Sequence, residues 1–229
     1  SPGRSVAPRD IVIGSRGSKE TRKGGGPRRA TGTEPRPATA LPSDSTWTET
    51  TMTYQIRPQR ADDVPLIEPL LDRTFGPDRT ARTVYRLREG LAPVPELCFA
   101  AVDGHGRMLG SLRFWPITTG DAPAILLGPL AVEPALQGRG VGRALVRHGL
   151  HEAGLRGHRI CVVVGEPEYY RPFGFINAPS RDLHLPGPVD PRRFQVAELE
   201  PGALEGISGQ IGRADAMDPN RRMRSDAPA

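Results

Sequence analysis

Three glycines at alternate positions, Gly138, Gly140 and Gly142, stand between an apolar run ending at Val132 and a segment with helical periodicity. Glycine lets the backbone turn through positive φ and lets a ligand approach it closely. The first four N–H groups of a helix have no partner within it and sit at the positive end of its dipole. A strand, a glycine loop and a helix start therefore make a seat for a phosphate or pyrophosphate. A nucleoside-triphosphate loop needs a Lys after its last Gly, and no Lys follows Lys23. The dinucleotide fingerprint needs Gly or Ala where Arg143 or Leu145 stands. The pattern that fits is Gln-x-x-Gly-x-Gly, at Gln137, Gly140 and Gly142. Arg139, Arg143 and Arg147 recur every four residues; the first two are candidates for phosphate contacts and the third for a solvated helix face. His148, His151 and Glu152 do not match a metal motif and read as helix surface, so no metal is expected.

These residues need elements to position them. Residues 54–57 alternate apolar and polar, as a half-buried strand does. Asp62 or Asp63 can cap a helix with Pro65 in its first turn and Val64, Leu66, Ile67, Leu70 and Leu71 as its apolar face. A second helix is expected over Arg79 to Glu89, ended by Gly90. Residues 97–102 and 108–117 read as strands around the turn Asp103-Gly104-His105-Gly106, and 124–132 as a buried strand. A helix over 140–155, a strand over 160–165 and a short helical turn over 166–171 follow. A strand is expected from Phe173, and one or two more within 181–200. The order is a meander followed by a βαβ unit. It predicts an α/β fold of the mixed α+β kind, with helices on both faces of a mixed sheet rather than a doubly wound parallel sheet.

The stretch from Leu130 to Leu145 resembles motif A of the GNAT superfamily of acyl-CoA-dependent N-acetyltransferases. A second similarity lies in Tyr169-Tyr170-Arg171-Pro172-Phe173-Gly174-Phe175, where Tyr170 stands four residues before a Gly-Phe pair. One helix and one strand separate the two motifs, as in that superfamily. The resemblance covers residues 53–176 well and 177–210 more loosely. It implies a mixed, mostly antiparallel sheet of six to seven strands, splayed where the strand ending at Val132 leaves the strand at 160–164. Acetyl-CoA would be the co-substrate. Its pantetheine arm would pair with the backbone of Leu130, Ala131 and Val132. Gln137, Gly138, Arg139, Gly140, Val141, Gly142, Arg143 and Ala144 would hold its pyrophosphate. The expected reaction is direct attack by an amine in a ternary complex.

That reaction sets chemical requirements. An alkyl amine with a pKa near 10.4 is about 3.4 units from neutral pH, a penalty of ~4.6 kcal/mol for the attacking free base. A base or a water relay lowers it. Glu133 follows the splayed strand and Glu166 ends its neighbour, so either can be that base. A backbone N–H must meet the developing oxyanion. The departing thiolate needs a proton, which a tyrosine phenol, neutral at pH 7, can supply. By the resemblance that phenol is Tyr170; a packing tyrosine beside Phe173 is the alternative. The acceptor can be an amine-bearing small molecule or a protein amine, and a homodimer is compatible with the resemblance. A non-catalytic acyl-CoA sensor or interaction module on the same fold is the alternative function.

Composition bounds the rest. The 229 residues hold 31 Lys and Arg, 26 Asp and Glu and two Cys. The net charge of +5 divides into +4 over 1–51, zero over 52–212 and +1 over 213–229. The middle has no overall basic footprint, so a nucleic-acid partner is not expected of it. Arginine-rich ends that tether the chain to RNA or another polyanion are a further alternative. Residues 1–51 are rich in Gly, Pro, Ser, Thr and Arg and cannot bury enough apolar surface to offset ordering at ~1–2 kcal/mol per residue. They are expected to be a disordered basic extension. The acetyltransferase domain is expected over 52–210, with a disordered tail over 211–229. The longest apolar run is Ile160–Val164, far short of the roughly 20 residues a spanning helix needs, so no membrane association is expected. No apolar segment of signal-peptide type follows the early arginines, and a cytoplasmic protein is expected. Cys98 and Cys161 sit in apolar runs and read as buried free thiols.

Overall fold

The computed structural model describes residues 53–81 and 83–214. The expectations for residues 1–51, and for the tail beyond Ala214, lie outside the described residues. Nine strands form the sheet: β1 (Tyr54–Pro58), β2 (Phe99–Asp103), β3 (Met108–Thr119), β4 (Ala122–Val132), β5 (Ile160–Val164), β6 (Ile176–Asn177), β7 (Leu183–His184), β8 (Phe194–Glu198) and β9 (Gly209–Arg213). The main path runs β1-β2-β3-β4-β5-β8-β6. Every pairing on it is antiparallel except β4 with β5. The α/β, mostly antiparallel mixed sheet expected from the sequence is thus observed.

Helices cover both faces. Along β2 the side chains alternate: Ala100 and Val102 pack with Ile67, Leu70 and Leu71 of α1 (Val64–Phe75). Phe99 and Ala101 pack on the opposite face with Val141, Ala144 and Leu145 of α3 (Val141–Leu155). Strand period 2 meets helix period 3.6 on each side, which is what fixes the register. The helix α3 lies close on β3, because a Cβ on Gly149 would stand 2.7 Å from the Phe114 ring and 2.9 Å from Leu112.

Several local expectations are corrected. Only Ile67, Leu70 and Leu71 of the expected α1 face are buried; Val64 and Leu66 lie about half exposed, because they fall off the stripe that the other three define. The helix expected over 79–89 is a 3-10 turn, Pro77–Ala81, followed by the single turn α2 (Thr83–Arg86). Long-range contacts fix this segment in place of helix propagation: Arg79 binds Glu68 and Asp72 of α1, and Thr83 Oγ1 donates to Pro188 O at 2.7 Å. After the short helix α4 (Pro167–Tyr170), residues 171–173 form a 3-10 turn, and β6 starts at Ile176 rather than Phe173.

The strand count exceeds six to seven because β6 and β7 are two residues each and β9 was not expected. β9 runs across the 210/211 boundary drawn for the tail. It pairs with β3 at Ile117–Thr119, and Ile211 is fully buried in the cluster that holds Ile117 and Leu126. A strand with one apolar residue, Gly-Gln-Ile-Gly-Arg, gives no periodic signal. Both cysteines are buried free thiols, and burial pushes Cys98 up to about 11 and Cys161 higher still, so neither is a nucleophile at neutral pH.

Candidate active site

Strands β4 and β5 are paired only at Ile125↔Cys161 and Leu126↔Val162. Beyond Leu126, β4 runs on to Val132 with no strand on its β5 side, as the splay expected from the resemblance requires. A bulge opposite Arg113 and Pro129, which has no N–H, accompany the parting. The gap opens into a cavity of about 570 Å3. Its walls are β4 at Leu127 to Leu130 and Val132, the end of β5, the start of α3, the residues Thr74, Arg79, Tyr85 and Arg88, and Glu166, Tyr169, Tyr170 and Arg193.

At one end lies the glycine loop. Gly138 and Gly140 have φ of 79° and 87°, a region L side chains avoid. Gly142 has a different reason to be glycine: a Cβ there would stand 2.6 Å from the Tyr169 hydroxyl and 3.4 Å from Val132. Gly140 is the N-cap of α3, with no side-chain cap, and the first intrahelical bond runs from Ala144 N to Gly140 O at 2.9 Å. The N–H groups of Val141, Gly142 and Arg143 are thus the unpartnered donors of a helix start. The Gln137 amide donates back to Val132 O at 3.4 Å, holding the loop to the strand. Arg143 is exposed, with its guanidinium 5.9 Å from the Tyr169 ring; Arg139 is exposed and outside the cavity wall. Ala131 and Ala144 turn their methyl groups into the two core faces, leaving only backbone to offer a ligand.

Tyr170 is buried and lines the cavity. Its ring meets Tyr169 at 4.9 Å and Phe175 at 5.5 Å, both edge-on. Gly165 makes room for it, since a Cβ there would overlap the ring edge at 2.2 Å. Burial raises the phenol well above its ordinary value, so it is neutral and a proton donor at any physiological pH. The two candidate bases diverge. Glu166 borders the cavity, 3.0 Å from Arg193 Nε. Glu133 does not: Arg73 donates to its Oε1 at 2.5 Å and holds it against α1, outside the cavity wall. Of the two candidate bases the cavity wall thus includes Glu166 and not Glu133, which pairs with a cation of α1 that the sequence pattern did not reveal.

Sequence reasoning missed Tyr169, whose hydroxyl reaches the helix start, and the far wall of Thr74, Arg79, Tyr85 and Arg88. The doublet Tyr169-Tyr170 was a visible signal for the first; the second had none. His148 is half-buried, edge-on to Phe99 at 4.7 Å, and burial lowers its pKa. Among the described residues no three His, Cys, Asp or Glu side chains converge as metal ligands would. No helix there is long and apolar enough to cross a membrane.

Comparison with known proteins identifies relatives. Residues 64–175 match the model of the acetyltransferase (GNAT) family. The uncharacterized N-acetyltransferase YhbS of Escherichia coli K12 is 34% identical over 158 residues, which span 68% of this chain and 93% of that protein. A crystal structure of the E. coli YhbS GNAT family N-acetyltransferase in complex with CoA superposes with a TM-score of 0.64 at 32% identity, covering 73% of this chain and 93% of that one. A GNAT family acetyltransferase from Brucella melitensis, in complex with acetyl-CoA, gives 0.55 at 28% identity, covering 73% and 99%.

Proposed function

The chain belongs to the GNAT family of N-acetyltransferases, and from that premise we propose that it moves an acetyl group from acetyl-CoA to an amine by direct attack within a ternary complex. The observation that carries this reading is the opening of the α3 N-terminus into the cavity where β4 and β5 part. Unpartnered N–H groups at a glycine-rich helix start suit a pyrophosphate. The β5-facing backbone of Leu130 to Val132 suits the amide groups of a pantetheine arm. Acetyl-CoA supplies the activated acyl group.

The residues divide the remaining work. A backbone N–H of the splayed β4 stabilises the oxyanion; one such donor is worth roughly 3–4 kcal/mol in other enzymes. The amine nitrogen bonds to the acyl carbon as the carbonyl opens to the oxyanion, and collapse of that intermediate breaks the C–S bond. Tyr170 gives its proton to the departing sulfur. The proton lost by the attacking nitrogen passes to Glu166 or to water, and net proton transfer restores the phenol. Glu133 has no part, since Arg73 holds it outside the cavity.

The test is release of free CoA thiol by the full chain over a panel of amines, with mass detection of the acetylated product. Turnover with acetyl-CoA Kd unchanged but kcat lowered in Tyr170→Phe supports the reading. Acetyl-CoA binding with no turnover on any amine would favour a sensor.

A further inference from the structure

The end of the cavity away from the glycine loop holds two buried arginines in contrasting states. Arg79 is 7% exposed and fully engaged: Glu68 at 2.5 Å, Asp72 at 3.0 Å and the Tyr85 hydroxyl at 3.1 Å. Arg88 is 8% exposed, and among the described residues no carboxylate lies within 4 Å of it. Its Nε has no hydrogen-bond partner there. It is wedged between aromatic rings, 5.0 Å from the Tyr85 centroid and 5.8 Å from Trp115. The Trp115 indole Nε1 is a second buried donor with no partner. A buried cation without an anion is costly, and buried donors are ordinarily satisfied. Two such donors side by side, at a cavity wall, point to an acceptor group that arrives with a ligand.

The position of Arg88 says which ligand. A Cβ on Gly128 would stand 3.1 Å from Arg88 Nη2. Gly128 belongs to the part of β4 beyond its pairing with β5, the strand whose backbone N–H is assigned to the oxyanion in the reading above. The guanidinium thus sits against the strand on which that reading places the reaction. Arg79, Tyr85, Arg88 and Pro129 also border a second cavity of about 480 Å3, which offers room for a side chain beyond. We infer that the acceptor bears a carboxylate near its amine, received by Arg88 with Trp115 beside it, so that the substrate class is amino acids or an acidic amino-terminal residue rather than polyamines or neutral amines. The inference rests on the acetyl-transfer reading of the same cavity. Burial draws the Arg88 guanidinium down to about 10, so it remains cationic at neutral pH and would repel a second positive charge on an acceptor.

Acetylation by the full chain is compared across the common amino acids, their carboxamides, tripeptide amides beginning with Asp or Glu, and spermidine. Acids are expected to exceed their matched amides in kcat/KM by about tenfold or more, as for hydrogen bonds to a charged group. Free amino acids against the tripeptide amides distinguish the two sources of the carboxylate. In Arg88→Gln the acid-to-amide ratio falls to about one while acetyl-CoA affinity is kept; Arg88→Lys retains part of the ratio. Amides or spermidine used as well as acids, or Arg88→Gln lowering acids and amides alike, would overturn the inference. If Arg88→Gln does not fold, Trp115→Phe, which removes only the indole donor and keeps a ring, decides by whether the ratio falls. Calorimetry of N-acetyl amino acids and N-acetyl carboxamides on the CoA-loaded protein reads the same preference without turnover. Acid-selective binding with no acetylation would sink the transfer reading and keep this one; acetylation without acid preference does the reverse.

Discussion

At one end of the cavity the donors are backbone N–H groups, at Val141, Gly142 and Arg143; at the other they are side chains, Arg88 and Trp115, brought together from the turn after α2 and from β3. A backbone site depends on conformation, and conformation leaves letters: glycine where φ must be positive at 138 and 140, and glycine where space is short at 142. A side-chain site depends on which distant segments meet, and nothing local records that. One end can therefore be shared by every relative that binds the same co-substrate, while the other is free to differ with the acceptor.

The largest effect should come from breaking the backbone end. Gly140→Glu places a side chain at φ 87° and a negative charge at the helix start, so acetyl-CoA affinity should fall by at least ~1,000-fold in calorimetry, with the fold kept by circular dichroism. Next is Tyr170→Phe, expected to lower kcat by about 100-fold with acetyl-CoA Kd unchanged, as loss of a general acid does. Its pH dependence has a definite sign. The phenol must be protonated to act, and burial raises its pKa above the ordinary value of 10.0. Activity should climb with pH as the amine loses its proton, with no fall traceable to Tyr170 up to pH 10 in a full pH–rate profile.

A finer test addresses why position 142 is glycine. Gly142→Ala drives a methyl against the Tyr169 hydroxyl and should weaken acetyl-CoA binding by roughly tenfold. Tyr169→Phe in the same chain removes the blocking atom and should restore part of the loss, a coupling that a double-mutant cycle measures. The smallest effect is expected at Glu133. Arg73 holds it away from the cavity, so Glu133→Gln should leave kcat and its pH profile unchanged, while Glu166→Gln shifts the acidic limb if Glu166 takes the amine proton.

The fold was legible where burial repeats. The alternation over residues 54–57 and the spacing of Ile67, Leu70 and Leu71 are written in plain sequence. It was illegible where tertiary contacts hold short elements. The Arg79–Glu68–Asp72 cluster replaces a helix with two turns, and Ile211 alone anchors β9. The glycine loop was visible from its spacing and Tyr170 through the family resemblance, and both border the cavity. The sequence could not separate Glu133 from Glu166, because the partner of Glu133 is Arg73, sixty residues away in the chain. Arg88 could not be found at all, since one arginine among the 31 basic residues carries no mark of being buried without an anion.

The central claim is that the glycine loop and the parted strands hold acetyl-CoA. It is tested most directly by thermal unfolding of the full chain and of Gly140→Glu, with and without acetyl-CoA. Ligand at 100 times its Kd stabilises by ~2.7 kcal/mol, or about 5–10 °C for a domain of this size. A rise of that order in the native chain, absent in Gly140→Glu, is the result predicted. No rise in the native chain at millimolar acetyl-CoA, or an equal rise in both, would contradict the account.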